Sequence, residues 1–216
     1  MPEAALENLI VLEVFGEGKT DIGKESAMPR LPDQGVVPIV VHGLCGKPAV
    51  MRVKTKRYAY LQGKGLWQKV RFAKRQARYN KDTCGAVFVL DTEGIDTVIT
   101  ELAKGRDHEL RGFPMAIGAA RPCIEAWLLV DASALRQALG RTHSPELPNN
   151  PESLPAPSRN RTSNPKTILA ELGAVSQIQK DAIAQKLDLK AVRECCLLSF
   201  EPFAAEVETH LRPLFA

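Results

Sequence analysis

Leu9-Ile10-Val11-Leu12-Glu13-Val14-Phe15 runs into Gly16-Glu17-Gly18-Lys19-Thr20-Asp21. Further on, Gly85-Ala86-Val87-Phe88-Val89-Leu90 runs into Asp91-Thr92-Glu93-Gly94. Each is an apolar, β-branched run that stops at carboxylates and turns at glycine, the pattern of a buried strand ending in a tight turn. Sites in open α/β sheets form beyond the carboxyl ends of the strands. Two neighbouring strands of this kind bring Glu17, Asp91 and Glu93 together. Three carboxylates cannot stay ionised side by side without a counter-charge. A hard divalent cation such as Mg²⁺ supplies it through oxygen ligands. These residues therefore lead to the expectation of a metal-dependent site for phosphate chemistry.

Working outward, the first strand is placed at residues 8–15 and a second at 36–41, with Pro38 marking an edge or bulge. A helix is expected over 66–79, a strand over 86–90, a helix over 95–104 and a short strand over 114–117 with its turn at 118–121. Pro122 suits the first turn of a helix through the apolar run 123–130, and Asp131 is placed to cap a helix over 132–139. Strands alternating with helices predict an α/β fold with a largely parallel sheet. Prolines 145, 148, 151, 155, 157 and 165 break up residues 141–165, which read as a loop or linker. Beyond them, helical patterns at 166–172, 177–187, 189–195 and 202–211 predict a small C-terminal section docked on the domain of residues 1–140.

The net charge is only +4, yet residues 52–81 carry eleven Lys or Arg and no Asp or Glu, so the rest of the chain carries −7. Tyr58, Tyr60, Trp67, Phe72 and Tyr79 are interleaved with them, a footprint suited to a nucleic-acid backbone. Within the expected helix, Leu66, Val70, Ala73 and Ala77 form an apolar face, and Lys69, Arg71, Lys74, Arg75 and Arg78 fall largely elsewhere. The same pattern also describes a solvated helix face. Five scattered cysteines point to reduced thiols in a cytoplasmic protein. There is no signal-peptide pattern at the start and no apolar run long enough to span a bilayer.

Gly18-Lys19-Thr20 after a strand invites a P-loop reading, but the first glycine of that loop falls at Glu13, inside the strand. Flanking glycines at Glu17 let backbone and ligand approach closely. Asp91 and Glu93, at i and i+2, point the same way if the strand continues that far. The bland alternative makes Glu17 a turn residue and Asp91 a helix cap. Lys19 and Arg121 are the nearest cations in sequence, able to hold a phosphate or simply to pair with neighbouring acids. His42-x-x-Cys45 has the spacing of half a zinc site, with no second close pair.

Strand-Glu-Gly-x-Thr-Asp followed by strand-Asp-x-Glu resembles the TOPRIM domain shared by topoisomerases, primases and OLD-family nucleases. Residues 116–131, Ala-Ile-Gly-Ala-Ala-Arg-Pro-Cys-Ile-Glu-Ala-Trp-Leu-Leu-Val-Asp, resemble a bacterial TOPRIM-like family with a Glu-Ala-Trp-Leu-Leu-x-Asp signature. Asn164-Pro165-Lys166, Lys180, Leu187-Asp188-Leu189 and Ser199-Phe200 extend that resemblance over most of the chain. It implies that Glu17 is a metal ligand or general base and that Asp91 and Glu93 bind Mg²⁺ or Mn²⁺. Glu125 becomes a further acid facing the site. The implied activity is a nuclease cutting DNA or RNA, with a separately encoded ATPase partner and a role in defence against phage. A non-catalytic module binding nucleic acid or a partner is the alternative. Glu93 stands where the pattern often has Asp, and Asp21 where many relatives have Glu.

Overall fold

The computed structural model describes residues 9–108 and 112–216. The two quoted runs become adjacent parallel strands. β1 (Ile10–Gly16) is followed by one helical turn, α1 (Lys19–Ile22), and by β2 (Ser26–Arg30). Next come α2 (Val36–Leu44), β3 (Met51–Arg57), α3 (Leu66–Tyr79), β4 (Thr83–Asp91), α4 (Val98–Asp107) and β5 (Met115–Ala120). Six helices complete the chain: α5 (Glu125–Leu128), α6 (Ala132–Ala138), α7 (Pro165–Glu171), α8 (Gln177–Lys186), α9 (Leu189–Cys195) and α10 (Phe200–His210). The sheet order is β2-β3-β1-β4-β5, parallel throughout except for β2, which runs antiparallel to β3. The α/β class and the mostly parallel sheet agree with the sequence reading. Asn8, the expected start of β1, lies outside the described residues.

Alternation along the strands divides the core into two layers. Leu12, Val14, Val53, Val87 and Val89 pack with α2 and the C-terminal helices. Phe15, Ala86, Phe88, Leu90 and Ile117 pack with Val70, Ala73 and Ala77 of α3 and Leu102 of α4. Trp127 ties the C-terminal section down. It is fully buried, stacks on Phe203 with ring centroids 5.6 Å apart, meets Phe200 edge-on at 5.1 Å, and donates from Nε1 to Ser199 Oγ at 2.8 Å. A Cβ on Gly118 would stand 2.7 Å from the Phe203 ring, so glycine is what lets α10 close onto β5. The apolar residues of 1–140 and of 166–216 thus share one core layer.

Several expectations are corrected. The run 36–41 is helix α2, not a strand. It is buried on every side between the sheet and the C-terminal helices, so it shows no amphipathic period, and Pro38 sits in the first turn, where its missing N–H costs nothing. Residues 118–120 continue β5 instead of turning. Pro122 follows a cis peptide in a bend, and the helix after it is the single turn α5. The strand β3 was concealed inside the basic segment: Met51, Val53 and Thr55 are buried, while Arg52, Lys54 and Lys56 alternate with them. Residues 141–164 contain no α-helix or strand, as the prolines predict. The five cysteines are all free, and no described helix is long and apolar enough to cross a membrane.

Candidate metal centre

β1 and β4 are in parallel register, Phe15 opposite Phe88, so both strands deliver their carboxylates to one edge of the sheet. A Cβ on Gly16 would lie 2.7 Å from Ile22 and 2.9 Å from Asp21 Cβ, and glycine there lets α1 fold tightly back on the strand end. Asp21 closes that turn. Its Oδ2 accepts from the backbone N–H of Glu17 at 2.7 Å and of Gly18 at 3.0 Å. A P-loop would offer those N–H groups to phosphate; here a buried carboxylate already holds them.

Asp91 ends β4 and is 8% exposed. Oδ1 accepts from the Ile124 N–H at 2.9 Å, and Oδ2 faces Lys166 Nζ at 3.3 Å. Glu125, 2% exposed, opens α5 and lies 3.1 Å from Lys180 Nζ and 3.9 Å from Lys166 Nζ. Lys180 also donates to Thr20 Oγ1 at 3.3 Å, tying α8 to α1. One ligand atom each from Asp91, Cys123 and Glu125 falls within 4.8 Å of the others. Burial pushes the Cys123 thiol far up, assisted by the charges of Glu125 and Asp91, so it stays protonated. The two carboxylates of this group are oxygen donors of the kind a hard cation takes.

Burial pushes the Glu17 carboxyl up to about 7, and the charge of Asp91 adds to the rise. Asp21 and Asp91 are raised for the same leading reason, and each feels the charge of Glu125. Burial opposes the charge on Lys166, but Glu125 and Asp91 outweigh it and keep the ammonium protonated. Tyr58, just past β3, has its phenol raised by burial and by Glu17, Asp21 and Asp91, which places it beside the same cluster. Lys69 covers its ring, with Nζ 5.0 Å from the centroid.

The expected residues therefore meet only in part. Asp91 and Glu125 come together with Cys123, while Glu17 stands outside that group but close enough to feel the charges of Asp91, Glu93 and Glu125. Glu93 departs from the strand alternation because β4 stops at Asp91 and Glu93 takes a left-handed φ of 50°. Its Oε2 accepts from Ser158 Oγ at 2.5 Å and the Ser158 N–H at 3.3 Å, so it is turned toward the proline-rich segment. Arg121 pairs with Asp96 at 2.7 Å, and Lys19 is exposed on α1. Of the α3 cations, Lys74 is buried and donates to the Arg106 carbonyl at 2.5 Å. Lys69 and Arg71 are half-buried, and only Arg75 and Arg78 are fully exposed.

Sequence reasoning assigned no role in the site to Tyr58 or Cys123 and took Lys166 and Lys180 only as matching positions. Asp21 had a legible signal, an acid three residues after Gly18 in the first turn of a helix. The lysines had none, since they lie 75 and 55 positions from the acids they face. A comparison of the chain with known family models, curated proteins and solved structures finds no match.

Proposed function

We propose that the protein is a divalent-metal-dependent nuclease of TOPRIM type, with Glu17 and Asp91 as the principal Mg²⁺ or Mn²⁺ ligands. The observation that carries this reading is a charge deficit at the sheet edge. Among the described residues, Glu17, Asp21, Asp91 and Glu125 are answered by Lys166 and Lys180, and burial has driven the first three toward protonation. Carboxylates crowded in this way accept either protons or a cation. Glu93 completes the set if its side chain leaves Ser158. A bound divalent ion would polarise a phosphate oxygen and lower the pKa of a coordinated water. Lys166, with 44% of its side chain exposed, presents positive charge where a phosphate would rest. The resemblance alone carries the ATPase partner and the defence role.

A second reading, a non-catalytic module that binds nucleic acid or a partner, draws on the two lysines. Lys166 and Lys180 already occupy the space beside Asp91 and Glu125, as they would in a structural ion-pair cluster. Calorimetric titration with Mn²⁺ and cleavage of labelled DNA and RNA separate the two. The nuclease reading expects Mn²⁺ binding and cleavage that EDTA abolishes, with Glu17→Gln and Asp91→Asn each lowering the rate about 10²–10³-fold. Wild-type protein that binds no Mn²⁺ and cuts nothing sinks the enzyme; so does cleavage that survives both substitutions.

A further inference from the structure

The face of the sheet that carries Phe15 is covered by α3 over β1 and β4, but β3 lies beyond the helix. In the space left between the flank of α3 and the β2–β3 edge is a cavity of about 420 Å³. Its walls include Glu13, Lys54, Lys56 and Ser26 from the sheet and Gln76 and Asn80 from the C-terminal end of α3. Parallel pairing sets Glu13 beside Lys54 and Phe15 beside Lys56, so the lysines share the face of Glu13.

Glu13 is the anomaly. It sits in the middle of an otherwise apolar strand and is 6% exposed. Oε1 accepts from Gln76 Nε2 at 2.7 Å, while Oε2 is buried with no hydrogen-bond partner. Lys54, the adjacent cation, does not pair with it: its ammonium turns to Asn80 Oδ1 at 3.3 Å and Asp82 at 3.7 Å. Burial holds the Glu13 carboxyl above its ordinary range, only partly offset by Gln76 and the two lysines. A buried acceptor without a donor is costly, and one that lines a cavity is satisfied when a ligand brings the donor. The Gln76 amide oxygen, beside it, is a second acceptor. Lys56 supplies positive charge for an anionic portion of the same ligand, since Lys54 is buried and already paired with Asp82 and the wall also carries Glu25.

We infer that this cavity receives a nucleobase bearing an exocyclic amine, from a single strand whose backbone passes Lys56 and whose continuation enters the carboxylate edge. The amine donates to Glu13, as a carboxylate accepts from the cytosine N4 amine. Uracil and thymine present a carbonyl at that position, which sets two acceptors against each other; their one donor on that edge is the neighbouring N3–H. Glu13 precedes Glu17 by four residues, roughly 13 Å of extended chain, so the base read here belongs to a nucleotide near, but not at, the reacting phosphate. The inference rests on the nucleic-acid part of the proposed function but not on catalysis.

Fluorescence anisotropy in EDTA, with the full chain and labelled oligo(dC) and oligo(dU), tests it without any metal-dependent step. The two probes differ at the 4-substituent and at N3 of each base, an amine beside a ring acceptor in cytosine and a carbonyl beside an N–H in uracil. The expected result is tighter binding of oligo(dC), by about tenfold, the scale of one good base-edge contact. Glu13→Gln, which keeps the shape and needs no charge buried, is expected to reduce that preference to within about twofold. Lys56→Ala is expected to weaken both probes alike and leave the ratio unchanged, as a phosphate contact does. Equal binding of the two probes by wild-type protein overturns the base pocket while leaving the strand-binding reading intact. A preference untouched by Glu13→Gln overturns it as well. Failure of both probes to bind overturns the pocket and the nucleic-acid reading together, whatever the Mn²⁺ titration gives.

Discussion

The two halves of the carboxylate edge are built from the same kind of residue and are neutralised differently. At the end of β1, Asp21 accepts from the backbone N–H groups of Glu17 and Gly18, Glu17 feels Lys166 only at a distance, and no cation is in contact with either carboxylate among the described residues. At the ends of β4 and β5, Asp91 and Glu125 face Lys166 and Lys180 within 3.1–3.9 Å. The β1 half is short of positive charge, and the β4–β5 half already has its own. On the proposed reading, an incoming cation would gain most where no ammonium is in contact, on the Glu17 side of Asp91 and outside the Asp91–Cys123–Glu125 group. On this view Glu125, which the resemblance makes a further acid facing the site, is mainly the buried anchor of the α8 lysine.

Removing Lys180 makes the sharpest test of that division. Lys180→Met leaves Glu125 buried with only the more distant Lys166 to answer its charge. Breaking a buried pair from one side costs about 3 kcal/mol. For a chain of this size that corresponds to a fall in Tm of roughly 6–12 °C. The double variant Glu125→Gln/Lys180→Met removes both charges and is expected to regain most of the loss, with Mn²⁺ affinity close to wild type. Thermal unfolding and calorimetry read both quantities. If the double variant loses Mn²⁺ binding altogether, Glu125 is a ligand and the two halves are not distinct.

A smaller effect comes from pH. Glu17 has a folded value of about 7 against an ordinary 4.5, and Asp21 and Asp91 are raised too. The folded chain therefore holds more protons than the unfolded one between about pH 4.5 and 7. The stability these acids contribute is present at the acid end of that window and is lost as the pH rises through the folded values. In EDTA, Tm is expected to be higher at pH 5 than at pH 8 by about 5 °C. Mn²⁺ at pH 8 should restore it, because the ion takes over from the protons. Glu17→Gln, in the bare half, should flatten the profile. A slope unchanged in that variant would mean that the cluster does not cause it.

How far this site could be read in advance follows from where its parts lie in the chain. β1 and β4 declare themselves because each is a short apolar run closed by an acid and a glycine. Asp131 declares itself as a cap, and it does accept from the Ala134 N–H at 2.9 Å. α2 misleads because a helix buried on all sides loses the period that would distinguish it from a strand. β3 is hidden because its outward positions are Arg and Lys, so its alternation was absorbed into a basic segment. The left-handed turn at Glu93 is invisible as well, because a non-glycine residue carries no sign that it will take positive φ. What remained illegible was the neutralisation of the second half, since Lys166 and Lys180 reach the acids only through the packing of α7 and α8.

The smallest effect belongs to the cations that serve neither half. α3 follows the carboxyl end of β3 and precedes the start of β4, so it runs away from the acidic edge. Its 14 residues span about 20 Å. Lys69, over Tyr58, stays near Glu17, whereas Arg78 lies some nine residues, or about 13 Å, farther along the axis. At physiological salt the screening length is about 8 Å, shorter than that separation. Arg78→Gln is therefore expected to change the affinity for a tetranucleotide, too short to reach both ends of the helix, by less than about twofold at 0.15 M salt. Lys69→Gln should weaken it several-fold and lower the salt slope, because that charge lies beside the bare half. Anisotropy titrations at two salt concentrations separate these outcomes. Equal losses from the two substitutions would place the strand along the outer face of α3, and the basic helix, instead of the sheet edge, would then organise binding.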